Sequence, residues 1–448
     1  MGAGILIVNH ALLLANIASG CLVFPLEGRN LIIDEAHRLE EYVCQAFGAR
    51  VSRHRVRYVL SAVRRKVHDM DEYLEDTSKA ADDFFGELRQ AEFRALGNPM
   101  VAPPSYTTLV DELIPIRNLL ENNPREKVNK LTGMVDKLLA DLRSFYEPLQ
   151  GTHAYAVQDP RSKKGYPVLQ SWFVEPADVL PEHVLAREDG AATIMTSATL
   201  ATGRSFDYQR SRLGLDLVYP LPVREHLGKE MFDYATNSLV YLESELPPPV
   251  PARQDEFLDG AVLRSAELCK LSGGRALILL ATWKAVQRFK ERFPEEVAPA
   301  SLPVKFQGEE STSSLIKWLR DTPKAVLVGT RSLWEGVDGP GEALSLVIVD
   351  KVPFPPPNDP VIAKLCEKAG SRWFMEVSLP KAMLAIRQGL GRLIRRHDDI
   401  GVMCILDSRV TTSSWGPAIR RAIPEGAPIT DNIADVEEFF SPSTQSAA

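Results

Sequence analysis

This chain of 448 residues has only five cysteines, and no two of them form a CxxC pair. A disulfide framework or a zinc knuckle is therefore not expected, and a reducing, cytoplasmic setting fits. Charge of one sign is not in excess either. Lys and Arg number 52 against 59 Asp and Glu, a net −7, so bulk electrostatics give no pointer to nucleic acid. A local basic stripe could still bind phosphates in such a chain. Long apolar runs are also missing. Residues 5–24 come nearest, but Asn9, His10 and Asn16 interrupt them and no Lys or Arg precedes them, which argues against a signal sequence or a membrane span. What is present is ordinary for a globular protein: 45% hydrophobic and 25% charged residues. At about 150 residues per domain the length suggests about three domains.

Residues 5–8 (ILIV) and 30–33 (NLII) are short continuous apolar runs, a texture that suits strands of a parallel sheet covered on both faces. Between them ALLLANI reads as helix. Residues 50–150 turn to helical periodicity and heavy charge, with breaks at Asn98-Pro99, Pro103-Pro104 and Asn123-Pro124, which predicts a mainly helical insertion. Strand texture returns near 154–174 and again in AATIMTSATL at 191–200. After the stiff stretch Pro247 to Pro251, helices are expected at 256–271, 283–292, 312–320 and 380–395. Strands are expected at 275–280, 302–306, 325–329, 344–350 and 401–407. Such alternation predicts an α/β fold with a parallel sheet that binds ligands at the strands' carboxyl ends. The end of the chain, SPSTQSAA, reads as disordered.

Several segments carry chemistry. Asp34-Glu35-Ala36-His37 ends an apolar strand, where adjacent carboxylates can hold a magnesium ion and position an attacking water. A solvated acidic turn before a helix is the plainer alternative. Thr196-Ser197-Ala198-Thr199-Leu200 follows a second apolar strand and offers hydroxyls that can link two elements, or simply cap a helix. In residues 383–396, Gln388, Gly391, Arg392 and Arg395 share one helical stripe while Met383, Ile386, Leu390, Leu393 and Ile394 form the opposite, docking stripe. A glycine costs about 1 kcal/mol in a helix interior, so close approach of a ligand or a neighbouring backbone is expected there. Two arginines on such a face match a clamp for a transferring phosphate. The segment from Gly329 through Thr330, Arg331 and Trp334 to Gly336 and Asp338 combines turn glycines, hydroxyls and backbone donors after a strand. Arg50, Arg53, Arg55, Arg57, Arg64, Arg65 and Lys66 crowd one helical region with no acid among them, as either a nucleic-acid track or a solvated face.

Taken in order, strand–NH, DEAH, helical insertion, TSATL, GTRSLWEGVD, KVPFPPPNDP and QGLGRLIRR resemble the DinG/XPD-like branch of superfamily two DNA helicases. The resemblance covers nearly the whole chain and is weakest at 50–150. It implies two RecA-like parallel-sheet domains, the first incomplete, with a helical arch-like insertion. The expected division is 1–46 with 152–225 for the first domain, 47–151 for the insertion, 226–435 for the second domain and 436–448 for a disordered tail. It implies ATP and Mg2+ as cofactors, single-stranded or forked DNA as partner, and no membrane. Asp34 and Glu35 would be the metal and water-activating carboxylates; His37, Ser197 and Thr199 would couple hydrolysis to movement. Gln388, Arg392 and Arg395 would reach the γ-phosphate, assisted by Gly336 and Asp338. Asn9, His10, Thr330, Arg331, Arg64 and Arg65 would face nucleic acid. The family's phosphate-cradling GxxxxGK[ST] loop is not found in the 448 residues, so the chain alone is expected to bind ATP poorly. An N-terminal segment or a separate polypeptide is expected to supply that loop. An iron–sulfur cluster is not expected in this chain. A catalytically silent nucleic-acid-binding or scaffold protein with a helicase fold is the alternative.

Overall fold

The computed structural model describes residues 4–67, 70–94, 100–122, 126–147, 152–160, 165–187, 189–218, 223–229, 231–330, 333, 344–394 and 396–441. The chain folds as two compact units. The first comprises Met1–Thr196, Arg210–Val223 and Pro356–Gly370; the second comprises Ser197–Gln209, Arg224–Pro355 and Ser371–Ala448. No described helix is long and apolar enough to cross a membrane.

In the first unit, β1 (Leu31–Ile33) pairs in parallel with a strand from much later in the chain, β5 (Thr193–Met195), in the register Leu31↔Thr193 and Ile33↔Met195. Between them in sequence lie β2 (Arg50–Ser52), β3 (His153–Gln158) and β4 (Val168–Phe173), an antiparallel sheet of order β2-β4-β3. Helices Arg53–Arg64, Asp71–Glu87, Ser105–Glu121 and Glu126–Tyr146 form the expected helical body. Its core runs from Phe84, Phe85, Leu113 and Phe145 into Val51, Tyr155 and Leu169 of the antiparallel sheet, so the helices are rooted in that sheet. Gly48 shows how tight the root is, because a Cβ there would lie 2.2 Å from the Ser171 carbonyl oxygen.

Residues 5–8 are not a strand, and Ile5 and Ile7 are 83% and 91% exposed. Among the described residues β1 has only β5 beside it, so the run finds no ladder to join. The helix His10–Ala18 follows, capped by Asn9.

The second unit holds a seven-stranded parallel sheet: β6 (Ser238–Leu242), β7 (Ala276–Leu280), β8 (Val304–Phe306), β9 (Val326–Thr330), β10 (Leu346–Val349), β11 (Gly401–Ile405) and β12 (Ile429–Thr430), in the order β12-β6-β11-β10-β7-β9-β8. Alternate residues serve two cores. Leu277, Leu279, Val347, Val349, Met403 and Ile405 face one; Ala276, Ile278, Leu346, Ile348, Val402 and Cys404 face the other. Helices Gln254–Leu271, Trp283–Val297, Thr312–Asp321 and Leu379–Leu393 begin close to the expected positions, and Trp283–Val297 runs on past the expected end at 292. Two of these starts are written in the sequence as N-caps, with Thr282 accepting from the Ala285 N–H and Ser311 from the Ser314 N–H. The end of KVPFPPPNDP belongs to the first unit: there Asp359 accepts from the Val361 and Ile362 N–H groups and Pro360 opens the helix Pro360–Ala369 at a position that needs no donor.

The disordered tail expected from residue 436 is corrected in part. Ile433–Phe440 is a helix whose Val436 is fully buried, with Ile433, Phe439 and Phe440 packed on the same core. Four apolar residues on a short amphipathic segment outweigh the polar sequence that follows it. Residues 442–448 lie outside the described residues.

Candidate functional site

The DEAH segment turns sharply at the carboxyl end of β1. Asp34 Oδ1 accepts from the Glu35 N–H and from Thr196 Oγ1, each at 2.9 Å, and the Ala36 N–H donates to the Thr196 carbonyl at 2.9 Å. The turn is thus fastened to the residue that follows β5. Glu35 adopts a left-handed backbone, φ 49° and ψ 42°. That conformation costs a non-glycine residue about 1–2 kcal/mol and tends to survive where function requires it. Its carboxylate is exposed and lies 3.2 Å from His37 Nδ1.

Behind the turn, His10 Nε2 donates to the Asp34 carbonyl at 2.8 Å and its ring tilts against Tyr42 at 5.2 Å. Asn9 Oδ1 caps the helix by accepting from the Leu12 N–H at 2.8 Å. His10 therefore buttresses the carboxylate turn, a role that sequence spacing alone did not suggest. Among the described residues no three His, Cys, Asp or Glu side chains cluster as a metal cage. Two exposed carboxylates nevertheless fit magnesium, which usually keeps water and substrate phosphate oxygens as its other ligands.

The boundary between the two units falls inside TSATL, after Thr196. Within the second unit, the Thr199 N–H donates to Ser197 Oγ at 3.1 Å, and Gln388 Nε2 donates to the buried Thr199 Oγ1 at 3.4 Å. The helix Leu379–Leu393 docks through Leu379, Ala382, Ile386 and Leu393, as its apolar stripe requires. A Cβ at Gly391 would meet nothing within 4 Å, so no neighbour among the described residues demands a glycine there. That leaves open space beside the stripe which carries Gln388. The Arg392 side chain, Arg395, Arg331, Gly336 and Asp338 lie outside the described residues. Thr330 ends β9 and is held by Gln307, whose Oε1 accepts from the Thr330 N–H at 2.6 Å and from its hydroxyl at 2.9 Å.

The basic region of the insertion is less free than its sequence suggests. Arg53 and Arg57 pair with Asp82, Arg55 pairs with Asp141, and Arg64 lies 3.0 Å from Asp71. All three acids come from neighbouring helices, beyond the reach of a local reading. Arg65 is exposed.

A third charged group lies at the carboxyl edge of the large sheet. Asp350, directly after β10, accepts from the Ala281 N–H at 2.8 Å through Oδ1, while its buried Oδ2 has no hydrogen-bond partner among the described residues. Burial pushes its carboxyl up to about 7, against the pull of the adjacent Lys351. Sequence reading passed over this residue, which looks like any aspartate at a strand end.

The chain is similar to several known helicases. Residues 265–426 match the helicase C-terminal domain family. The ATP-dependent helicase DinG of Mycobacterium tuberculosis is 30% identical over 434 residues, covering 94% of this chain and 64% of the relative. The chain thus resembles DinG-type helicases in sequence and an XPD helicase in fold. The ATP-dependent DNA helicase YoaA of Escherichia coli is 29% identical, with 98% of this chain and 70% of the relative covered. A solved XPD helicase superposes with a TM-score of 0.54 at 16% identity, covering 92% of this chain and 70% of that one, and the large parallel sheet is RecA-like. This DinG/XPD-like chain spans less than two thirds of the mycobacterial relative's length.

Proposed function

We propose that the chain works as an ATP-dependent DNA helicase of the DinG/XPD type, coupling ATP hydrolysis to translocation on single-stranded DNA and to duplex unwinding in repair or replication. The observation that carries this reading is the DEAH turn at the end of β1, fastened to Thr196 at the head of TSATL. Asp34 and Glu35 would hold magnesium, which offsets the charge of the phosphates. Exposed and fixed by its strained backbone, Glu35 would orient the attacking water and take up its proton. Gln388, Arg392 and Arg395, with Gly336 and Asp338, would stabilise the γ-phosphate in the transition state. The hydrogen bond from Gln388 to Thr199 makes TSATL responsive to that helix, and with His37 and Ser197 this is the coupling set. Asn9, His10, Thr330, Arg331, Arg64 and Arg65 would touch DNA, His10 also holding the Asp34 carbonyl. The architecture would divide as a partial first RecA-like domain (1–46 and 152–225), an arch-like insertion (47–151) and a second RecA-like domain (226–435). A cytoplasmic location agrees with this reading.

The test is ATP-driven unwinding of a forked duplex by the full chain, alone and with an added polypeptide carrying a GxxxxGK[ST] loop. Unwinding in either arrangement supports the proposal. DNA binding without hydrolysis or unwinding in both arrangements would overturn it in favour of a silent binding protein.

A further inference from the structure

Glu35 takes a left-handed conformation in the middle of the DEAH turn, and such strain persists where the surrounding structure over-determines it. One side of the turn is held by Thr196, whose hydroxyl donates to Asp34 Oδ1 and whose carbonyl accepts from the Ala36 N–H. The other side is the Asp34 carbonyl. It lies in the peptide plane that leads into Glu35, so its direction and the Glu35 φ are linked. His10 Nε2 donates to it at 2.8 Å, and since a carbonyl can only accept, that nitrogen carries the ring proton.

An imidazole at the first position of a helix turns about two side-chain bonds, and one hydrogen bond fixes it poorly. Tyr42 supplies the second constraint. Its ring lies 5.2 Å from the His10 ring, tilted by 40°. The Arg38 guanidinium lies over the Tyr42 ring, 5.2 Å from its centre. Arg38 and Tyr42 both follow directly from the turn: Ala36–Arg38 is a single tight helical turn, and Leu39–Ala46 is the helix that continues it and packs against His10–Ala18. That helix is rooted by Leu39 and Val43, both fully buried, so Tyr42 has a fixed base. The contacts close on themselves, from Asp34 through Glu35 and the helix to Tyr42, then to His10 and back to Asp34. All of these residues belong to the first unit.

We infer that Tyr42 is a positioning residue for ATP hydrolysis: its ring keeps His10 on the Asp34 carbonyl, and so keeps Glu35 in the left-handed conformation that aims its carboxylate at the attacking water. The inference rests on the reading of the chain as an ATP-driven motor and adds a side chain outside the NH and DEAH segments. Tyr42 acts through His10 and is not itself a reacting group.

The experiment is steady-state ATP hydrolysis at saturating single-stranded DNA by the full chain, alone and with the polypeptide carrying the GxxxxGK[ST] loop. The parent is compared with Y42A, Y42F, H10A and the double variant Y42A/H10A. Y42A should lower kcat about tenfold with KM for ATP within about twofold of the parent, because a misplaced Glu35 is felt in the transition state while Asp34 stays tied to Thr196. Y42F should restore most of the rate, since the ring makes the contact. H10A should be slowed about as much as Y42A, and adding Y42A to it should cause no further loss, as two side chains acting on one carbonyl require. Parent-like kcat in Y42A, a loss expressed in KM, a Y42F as slow as Y42A, or a Y42A effect as large in the H10A background as in the parent would each overturn the inference while leaving the motor reading intact. If the parent hydrolyses no ATP in either arrangement, the motor reading falls and this inference with it.

Discussion

The two parallel sheets share one sequence texture and differ in burial. β7 (ALILL) and β10 (LVIV) are buried at every residue, whereas in β1 (LII) Ile33 is 2% exposed and Ile32 is 72% exposed, and Ile194 of β5 is 50% exposed. An apolar run reports that a strand can be covered on both faces; the layers laid on it decide whether it is. Two cores flank β7 and β10, one on each face. In β1, by contrast, one face is packed and the other meets solvent.

Paired substitutions sharpen the contrast. Ile348→Ala in β10 should destabilise the protein by about 2–4 kcal/mol through lost burial and a residual cavity. Ile32→Ala in β1 should cost less than about 1 kcal/mol, because little apolar surface leaves a packed site. Urea unfolding followed by circular dichroism measures both, and equal costs would break the comparison.

A smaller effect follows from Asp350 at the head of the covered sheet. Its carboxyl is raised to about 7 in the folded protein, against an ordinary value of 3.8. A raised acid favours the protonated folded state, so its contribution to stability is full below about pH 4 and is lost as pH rises through 7. Asp350→Asn keeps an acceptor for the Ala281 N–H and removes the titration. Its Tm should fall less than the parent's between pH 5 and 8, by an amount on the order of 1–2 kcal/mol in stability. Parallel pH profiles for the two proteins would show that Asp350 is already charged in the fold.

Much of this architecture was legible because local signals agreed with one another. Thr282 marks a helix start just where the apolar strand β7 ends, and Ser311 and Asp359-Pro360 mark two more farther along the chain. The stripe through Ile386 and Leu393 announced its docking face. What escaped were pairings set by the tertiary fold: the acids Asp82 and Asp141 that meet the insertion's arginines, and the buried Asp350 beside Ala281. The run at 5–8 misled because a strand exists only with a partner ladder. Nor did the sequence show that Asn9 caps its helix and that His10 holds the Asp34 carbonyl. The left-handed Glu35 has no sequence signature, since nothing in Asp-Glu-Ala-His demands a positive φ.

The account's central claim is that Glu35 acts on water at a phosphate site. DNA-stimulated ATP hydrolysis should be compared between the parent and Glu35→Gln, with the polypeptide carrying the phosphate loop present and DNA binding measured alongside. The account predicts hydrolysis reduced by about 10²-fold or more with DNA affinity unchanged, since glutamine keeps the shape but cannot take a proton. Hydrolysis at the parent rate in Glu35→Gln would contradict it.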